Sequence, residues 1–119
     1  MKKVLVVEDN ADMRKLLRLE LELMGFDPIT AVGGKEGIEK VISEKPDLVL
    51  LDILMPDMDG RDAARALRGN PETKNIPIVA ETALSSQRDL NSCLRAGCDD
   101  YLVKPFSYNE LENKLHAFI

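Results

Sequence analysis

Several polar side chains each close a short apolar run. Glu8 and Asp9 follow Val4 to Val7, Asp52 ends Asp47-Leu-Val-Leu-Leu-Asp52, Glu81 and Thr82 follow Ile76 to Ala80, and Lys104 follows a run ending at Val103. If those runs are neighbouring strands, the carboxylates crowd onto one rim. Two like charges about 4 Å apart repel by roughly 4 kcal/mol at an effective dielectric near 20. A retained proton or a bound cation relieves that repulsion. All-oxygen donors without a nearby His or Cys suit a hard divalent ion, and a small site open to water suits magnesium. Thr82 adds a hydroxyl and Lys104 a compact positive charge. Neither is needed to hold magnesium, but both make sense if a second anion arrives. A carboxylate can attack an activated phosphorus to give an acyl phosphate. A metal ion and a lysine would neutralise the phosphoryl oxygens. Asp52 is the natural acceptor, because it comes from the central run with the acidic pair on one side and Thr82 and Lys104 on the other.

The elements that must position these groups can be read along the chain. The Asp52 run lacks polar alternation, so it reads as a strand buried on both faces. Val4 to Val7 is an earlier strand. Asn10 is a helix N-cap, Met13, Leu17, Leu21 and Met24 form one helical stripe with Leu16 and Leu23 beside them, and Gly25 stops that helix. Phe26 to Val32 is a weaker strand, and Pro28 assigns it to an edge. Gly33-Gly34 is a turn, and Lys35 to Glu44 a helix with Ile38, Val41 and Ile42 inward. After the Met55-to-Gly60 loop, Ala63, Ala64 and Leu67 line a small-faced helix. Ile76 to Ala80 is the fourth strand. Ser85 to Ala96 is a helix with a thin stripe of Leu90, Leu94 and Cys93. Cys98 to Val103 is the fifth strand. Ser107-Tyr-Asn-Glu110 is a capping box for a last helix carrying Leu111, Leu115 and Phe118. Strand and helix alternate five times with short connections, which calls for one doubly wound parallel sheet with helices on both faces. In such sheets reactive groups gather at the carboxyl ends of the strands.

Bulk properties exclude several classes. The 119 residues suggest a single domain spanning 1–119, and 45% hydrophobic with 31% charged residues is ordinary globular composition. The net charge of -5 gives no general attraction to nucleic acid phosphates. No apolar run approaches the roughly 20 residues of a membrane span. Cys93 and Cys98 lack metal spacing and read as small apolar residues in a reducing, cytoplasmic compartment. His116 lies near the end of the last helix, where an imidazole complements the helix dipole and has no catalytic part.

Four segments together resemble the receiver domain of two-component response regulators. They are Val7-Glu-Asp9, Leu50-Leu-Asp-Ile-Leu-Met-Pro-Asp-Met-Asp-Gly60, Thr82-Ala83 and Gly97-Cys-Asp-Asp-Tyr-Leu-Val-Lys-Pro-Phe106. The resemblance runs from Val4 to Phe118. It implies a flavodoxin-like α/β sandwich with strand order 2-1-3-4-5. It implies Asp52 as phosphoacceptor and a magnesium ion held by Asp9, Asp52 and the Leu54 backbone carbonyl, with Glu8 acting partly through water. It further implies Thr82 as a switch hydroxyl, Lys104 as its counter-charge, Tyr101 as an aromatic that changes rotamer, and a cis Lys104-Pro105 bond.

Two departures are visible: Glu81 stands where an apolar residue is more usual, adding charge near Thr82 and Tyr101, and Cys98 replaces a common alanine. The resemblance implies a phosphoacceptor that promotes its own phosphorylation and dephosphorylation. The donor would be a histidine kinase or phosphotransfer protein. The output would be a conformational change on the face made by the fourth helix, fifth strand and last helix, read by a downstream protein. The chain is expected to carry no output domain, to touch neither nucleic acid nor membrane directly, and to be a monomer or weak homodimer. The alternative is a pseudo-receiver that binds partners without phosphorylation. A magnesium-dependent phosphatase is disfavoured, because Leu54 stands where its second aspartate is expected. A flavin protein is disfavoured by the acidic loop at Glu8-Asp-Asn10, which would repel the FMN phosphate.

Overall fold

All five residues of strand β3 (Leu48–Asp52) are buried, as a strand covered on both faces requires. In this computed structural model, which describes all 119 residues, β3 is the middle of a five-stranded parallel sheet. It is flanked by β1 (Lys3–Val7) and β4 (Ile78–Thr82), with β2 (Asp27–Ala31) and β5 (Asp100–Val103) at the edges. The order β2-β1-β3-β4-β5 is the flavodoxin-like one expected. The crossovers are α1 (Ala11–Leu23), α2 (Gly34–Glu44), α3 (Gly60–Gly69) and α4 (Gln87–Ala96), and α5 (Tyr108–His116) closes the fold. Pro28 lies in edge strand β2, where a missing ladder donor is tolerated.

Alternation along the strands divides the core in two. Val7, Leu51 and Ala80 point to one face and meet Val41 of α2, Ala63 of α3 and Cys93 of α4. Val6, Leu50, Val79 and Leu102 point to the other and meet Leu17 and Leu21 of α1 and Leu111 and Leu115 of α5. Because the side-chain period of a strand is two, each polar residue at a strand end inherits a face from its predecessor. Glu8, Asp52 and Glu81 fall on the α1 and α5 side, and Thr82 falls on the side of α4.

The caps expected at Asn10 and Ser107 are present, and the structure adds Ser86 and Gly97 at the two ends of α4. Asn10, Ser86 and Ser107 each accept from the backbone N–H three residues on, at 2.9, 3.1 and 3.0 Å. Gly97, at φ +119°, ends α4, and the Cys98 N–H donates to the Cys93 carbonyl at 3.1 Å.

Some expectations need correction. Strand β4 runs to Thr82 rather than stopping at Ala80. Backbone pairing continues through Asp52 with Glu81 and Thr82 with Val103, whatever the polarity of the side chains. Strand β5 begins at Asp100 and not at Cys98, because Cys98 is used in the helix cap and Asp99 accepts from the Ile78 N–H and from Arg68. Ile42 is exposed, since α2 buries Gly34, Gly37 and Val41 and this turns Ile42 outward. Leu94 is likewise exposed, and Leu90, Cys93 and Ala96 form the buried face of α4. Leu16 and Leu23, placed beside the α1 stripe, face solvent.

Candidate functional site

The ends of β1 and β3 set the geometry. The β1–β3 register pairs Val7 with Leu51, so Glu8 and Asp52 leave the sheet side by side on the same face. Carboxylate oxygens of Glu8, Asp9 and Asp52 lie within 4.8 Å of one another. Glu8 and Asp52 are buried, and Asp9 is exposed at the mouth. The turn carrying them is clamped from α1, where Arg14 donates to the Glu8 carbonyl at 2.9 Å and to the Asp9 carbonyl at 3.4 Å. Gly60 lets the loop after β3 fold back. A Cβ there would lie 2.5 Å from the Asp52 carbonyl oxygen, and the Gly60 N–H donates to the Ile53 carbonyl at 2.7 Å. A glycine is therefore required directly behind Asp52.

Lys104 reaches the cluster from the end of β5, at a cis Lys104-Pro105 bond. Its Nζ donates to Glu8 Oε1 at 2.9 Å and lies 3.5 Å from Asp52 Oδ1. Burial works to lower the lysine pKa, but the hydrogen bond to Glu8 and the neighbouring carboxylates outweigh it and leave the pKa raised. The Asp52 carboxyl is pushed up to about 8, first by burial and then by its contact with Glu8. For Glu8 burial works upward as well, but hydrogen bonds with Asp52 and Lys104 outweigh it and hold the group down to about 2. Without a cation, the two carboxyls therefore keep one proton between them.

Glu81 belongs to the same constellation, and alternation places it there. It was expected to charge the surroundings of Thr82 and Tyr101. Its side chain instead takes the opposite face of β4, that of Val79, and feels Lys104, Glu8 and Asp52. It is fully buried, and no N–H or hydroxyl donor reaches either oxygen, although the Glu8 carboxyl lies beside it. Burial is the main reason its pKa stands well above the ordinary value; Lys104 opposes that shift, and Glu8 and Asp52 add to it. The signal that could have found it is the step of two from Val79 to Glu81.

Thr82 and Tyr101 lie on the other face. The Thr82 hydroxyl is fully buried and accepts from the Leu84 N–H at 3.0 Å, which makes it a turn cap in this state. Tyr101 is half-buried, pairs in register with Ala80 and packs on the cluster that contains Cys93 and Ala96 of α4. Leu54 follows β3 half-exposed, and Leu84 packs partly against the same core as Tyr101. His116 packs against Phe26 with ring centroids 5.7 Å apart and the planes tilted by 40°.

The residues fit a small hard cation. Three carboxylates converge without His or Cys, a fourth has unsatisfied oxygens, and one lysine provides their positive charge. Three buried carboxyls and the exposed Asp9 face a single ammonium, which leaves the site short of positive charge.

A family profile described as the response regulator receiver domain matches residues 4–116. A probable transcriptional regulator, ycf27, of Guillardia theta is 40% identical over 98% of this chain and 45% of its own length. The chemotaxis protein CheY4 of Vibrio cholerae superposes with a TM-score of 0.94 at 29% identity, covering 100% of this chain and 99% of that one. The receiver domain of the sensor histidine kinase PA1611 of Pseudomonas aeruginosa, solved with a magnesium ion coordinated in its active site cleft, superposes with a TM-score of 0.91. It is 32% identical and covers 98% of this chain and 96% of that one. The chain spans about half the length of the curated relatives it matches.

Proposed function

The chain belongs to the response regulator receiver domain family, and on that premise we propose that Asp52 accepts a phosphoryl group from the phosphohistidine of a kinase or phosphotransfer protein. The observation that carries the proposal is the convergence of Glu8, Asp9 and Lys104 on Asp52 at the end of the central strand. In the transfer an Asp52 carboxylate oxygen attacks phosphorus, the P–N bond breaks, and its electron pair returns to the donor imidazole. Water later attacks the same phosphorus, releasing inorganic phosphate and restoring the carboxylate.

Asp9, Asp52 and the Leu54 carbonyl would hold magnesium, with the Glu8 carboxylate close enough to share its charge. When bound, the ion neutralises charge on the phosphoryl oxygens. The chain's own residues do the rest. The strand ends hold Asp52 in a fixed pose, and the proton it shares with Glu8 would leave to solvent when a cation binds, so that the carboxylate is the nucleophile. Lys104, already within 3.5 Å, supplies a movable positive charge. The buried surroundings limit the approach of water.

Phosphorylation is read out through Thr82. Its hydroxyl exchanges the Leu84 N–H for a phosphoryl oxygen, and the space it leaves is open to Tyr101. Helix α4 buries only Leu90, Cys93 and Ala96, and a thinly held helix is easily biased. The face formed by α4, β5 and α5 is then the surface that changes for a downstream protein. Reversing a hundred-to-one preference takes about 5.5 kcal/mol. This reading places the protein in the cytoplasm, where such donors present their histidines. No helix is long and apolar enough to cross a membrane. Monomer or weak dimer is the assembly expected.

The test is incubation with acetyl phosphate and magnesium, followed by intact-protein mass spectrometry. A phosphoryl increment that requires magnesium and disappears in Asp52→Ala is expected. No increment under conditions where an established receiver reacts would leave the pseudo-receiver alternative. Continuous phosphate release from unrelated esters would point to a phosphatase.

A further inference from the structure

Glu81 is the one buried carboxyl for which phosphoryl transfer at Asp52 provides no use. It lies directly across the β3–β4 ladder from Asp52, is fully buried, and both its oxygens lack a donor. Buried carboxyl oxygens without a donor are costly, so a partner in some other state of the site is the natural explanation. A direct metal bond is not that explanation, since the carboxylates whose oxygens lie within 4.8 Å of one another are Glu8, Asp9 and Asp52. A mobile donor on the same rim is Lys104. Its ammonium has three hydrogens, of which Glu8 takes one at 2.9 Å while Asp52 stands at 3.5 Å. Glu81 approaches from the neighbouring strand on the same face, and Lys104 and Glu81 each lie within the other's field.

We propose that Glu81 is a positioning residue for Lys104, a second dock to which the ammonium moves when a divalent cation engages Glu8 and Asp52. The proposal rests on the cation-binding part of the reading above. A cation at the carboxylates draws on the same oxygen lone pairs that now hold Lys104, and it repels the ammonium directly. Without another acceptor, Lys104 would be driven into solvent or would oppose cation entry. With Glu81 behind it, the lysine stays at the rim, one hydrogen bond anchored from below and the others free for a phosphoryl oxygen. The unsatisfied oxygens of the metal-free site then have a function: they are the vacant half of a lysine exchange.

The test is a double-mutant cycle on cation affinity in the unphosphorylated protein, read by electron paramagnetic resonance of free Mn2+. In the wild-type background, Glu81→Val is expected to weaken Mn2+ binding roughly tenfold, the size of one charge-assisted hydrogen bond. In Lys104→Met the same substitution should change affinity by less than about twofold, because no ammonium needs a dock. Glu81→Gln keeps an acceptor and the volume, so it should recover most of the loss; Glu81→Met, which removes the acceptor at nearly the same length, replaces the valine in the cycle if that variant is not folded by circular dichroism. Equal effects in both lysine backgrounds, or no effect in either, would overturn the exchange. So would a crystal structure with Mn2+ bound and Lys104 still on Glu8. Failure of the wild-type protein to bind Mn2+ would instead remove the cation site and the function proposed for it.

Discussion

The Lys104 ammonium sits closer to Glu8 Oε1, at 2.9 Å, than to Asp52 Oδ1, at 3.5 Å. The lysine is therefore first a partner of Glu8 and only second of Asp52. Glu8 is 1% exposed and has no other charged donor at that distance, whereas the lysine side chain keeps 22% of its surface. Stability and cation binding thus pull on the same ammonium.

Removing that ammonium separates the two. Lys104→Met leaves a buried carboxylate without its charge partner. Losing one member of a fully buried pair costs about 3–5 kcal/mol, and the partial exposure of the lysine reduces that to roughly 2 kcal/mol here. Urea unfolding of the two proteins without divalent ions should show this loss. With magnesium saturating, the difference should shrink, because the cation takes over the neutralisation of Glu8 and Asp52. A loss of the same size with and without magnesium would mean that Lys104 and the cation do not share these carboxylates.

The lifetime of the acyl phosphate should depend on two apolar neighbours. Leu54 is 49% exposed at the mouth, and Leu84 packs beside the turn that Thr82 caps. Each stands two residues after a site residue, Asp52 and Thr82, and is expected to put hydrocarbon on the route of an attacking water. Leu54→Asn and Leu84→Glu supply polar groups that can hold such a water, so each should speed dephosphorylation, by about tenfold if it recovers one ordinary hydrogen bond to the attacking water. Loss of the phosphoryl mass with time, after removal of acetyl phosphate, measures this. Unchanged or slower loss would show that water reaches phosphorus by another route.

Much of this arrangement was legible in the sequence because the apolar runs and the polar residues that end them carry both the strand positions and the chemistry. Asp52 and the Glu8-Asp9 pair are found by their place after those runs, and the helix caps at Asn10 and Ser107 by their own side-chain types. What escaped was the direction of side chains where polarity and backbone pairing disagree. Reading β4 as ending at Ala80 hid the alternation that sends Glu81 toward Lys104 and Thr82 toward α4. The exposed Ile42 and Leu94 escaped for a related reason. The approach of α2 to the sheet is set by Gly37, where a Cβ would lie 2.8 Å from Val7, and glycine is silent in a hydrophobic stripe. In α4 the small residues Cys93 and Ala96 occupy the buried face and turn the larger leucine outward.

Cys98 ties alkaline stability to the cap of α4. Burial pushes its thiol up to about 12 from an ordinary 9.0, with Cys93 adding to the shift and Arg68 opposing it. The folded protein therefore keeps this proton at pH values where the unfolded chain releases it. Between pH 9 and 12 the folded state binds more protons than the unfolded one, so stability falls as pH rises. It is fully present below pH 9. The slope from this one group is at most about 1.4 kcal/mol per pH unit within that window. Urea unfolding of the wild type and of Cys98→Ala at pH 8, 9 and 10 isolates it, since the other alkaline groups are common to both. The wild-type midpoint should drop faster above pH 9, and the alanine variant, matching the residue size this buried cap accepts, should converge on or overtake it. Parallel curves would mean that the thiol ionises as readily in the folded chain as in the unfolded one, and that Cys98 is open to water.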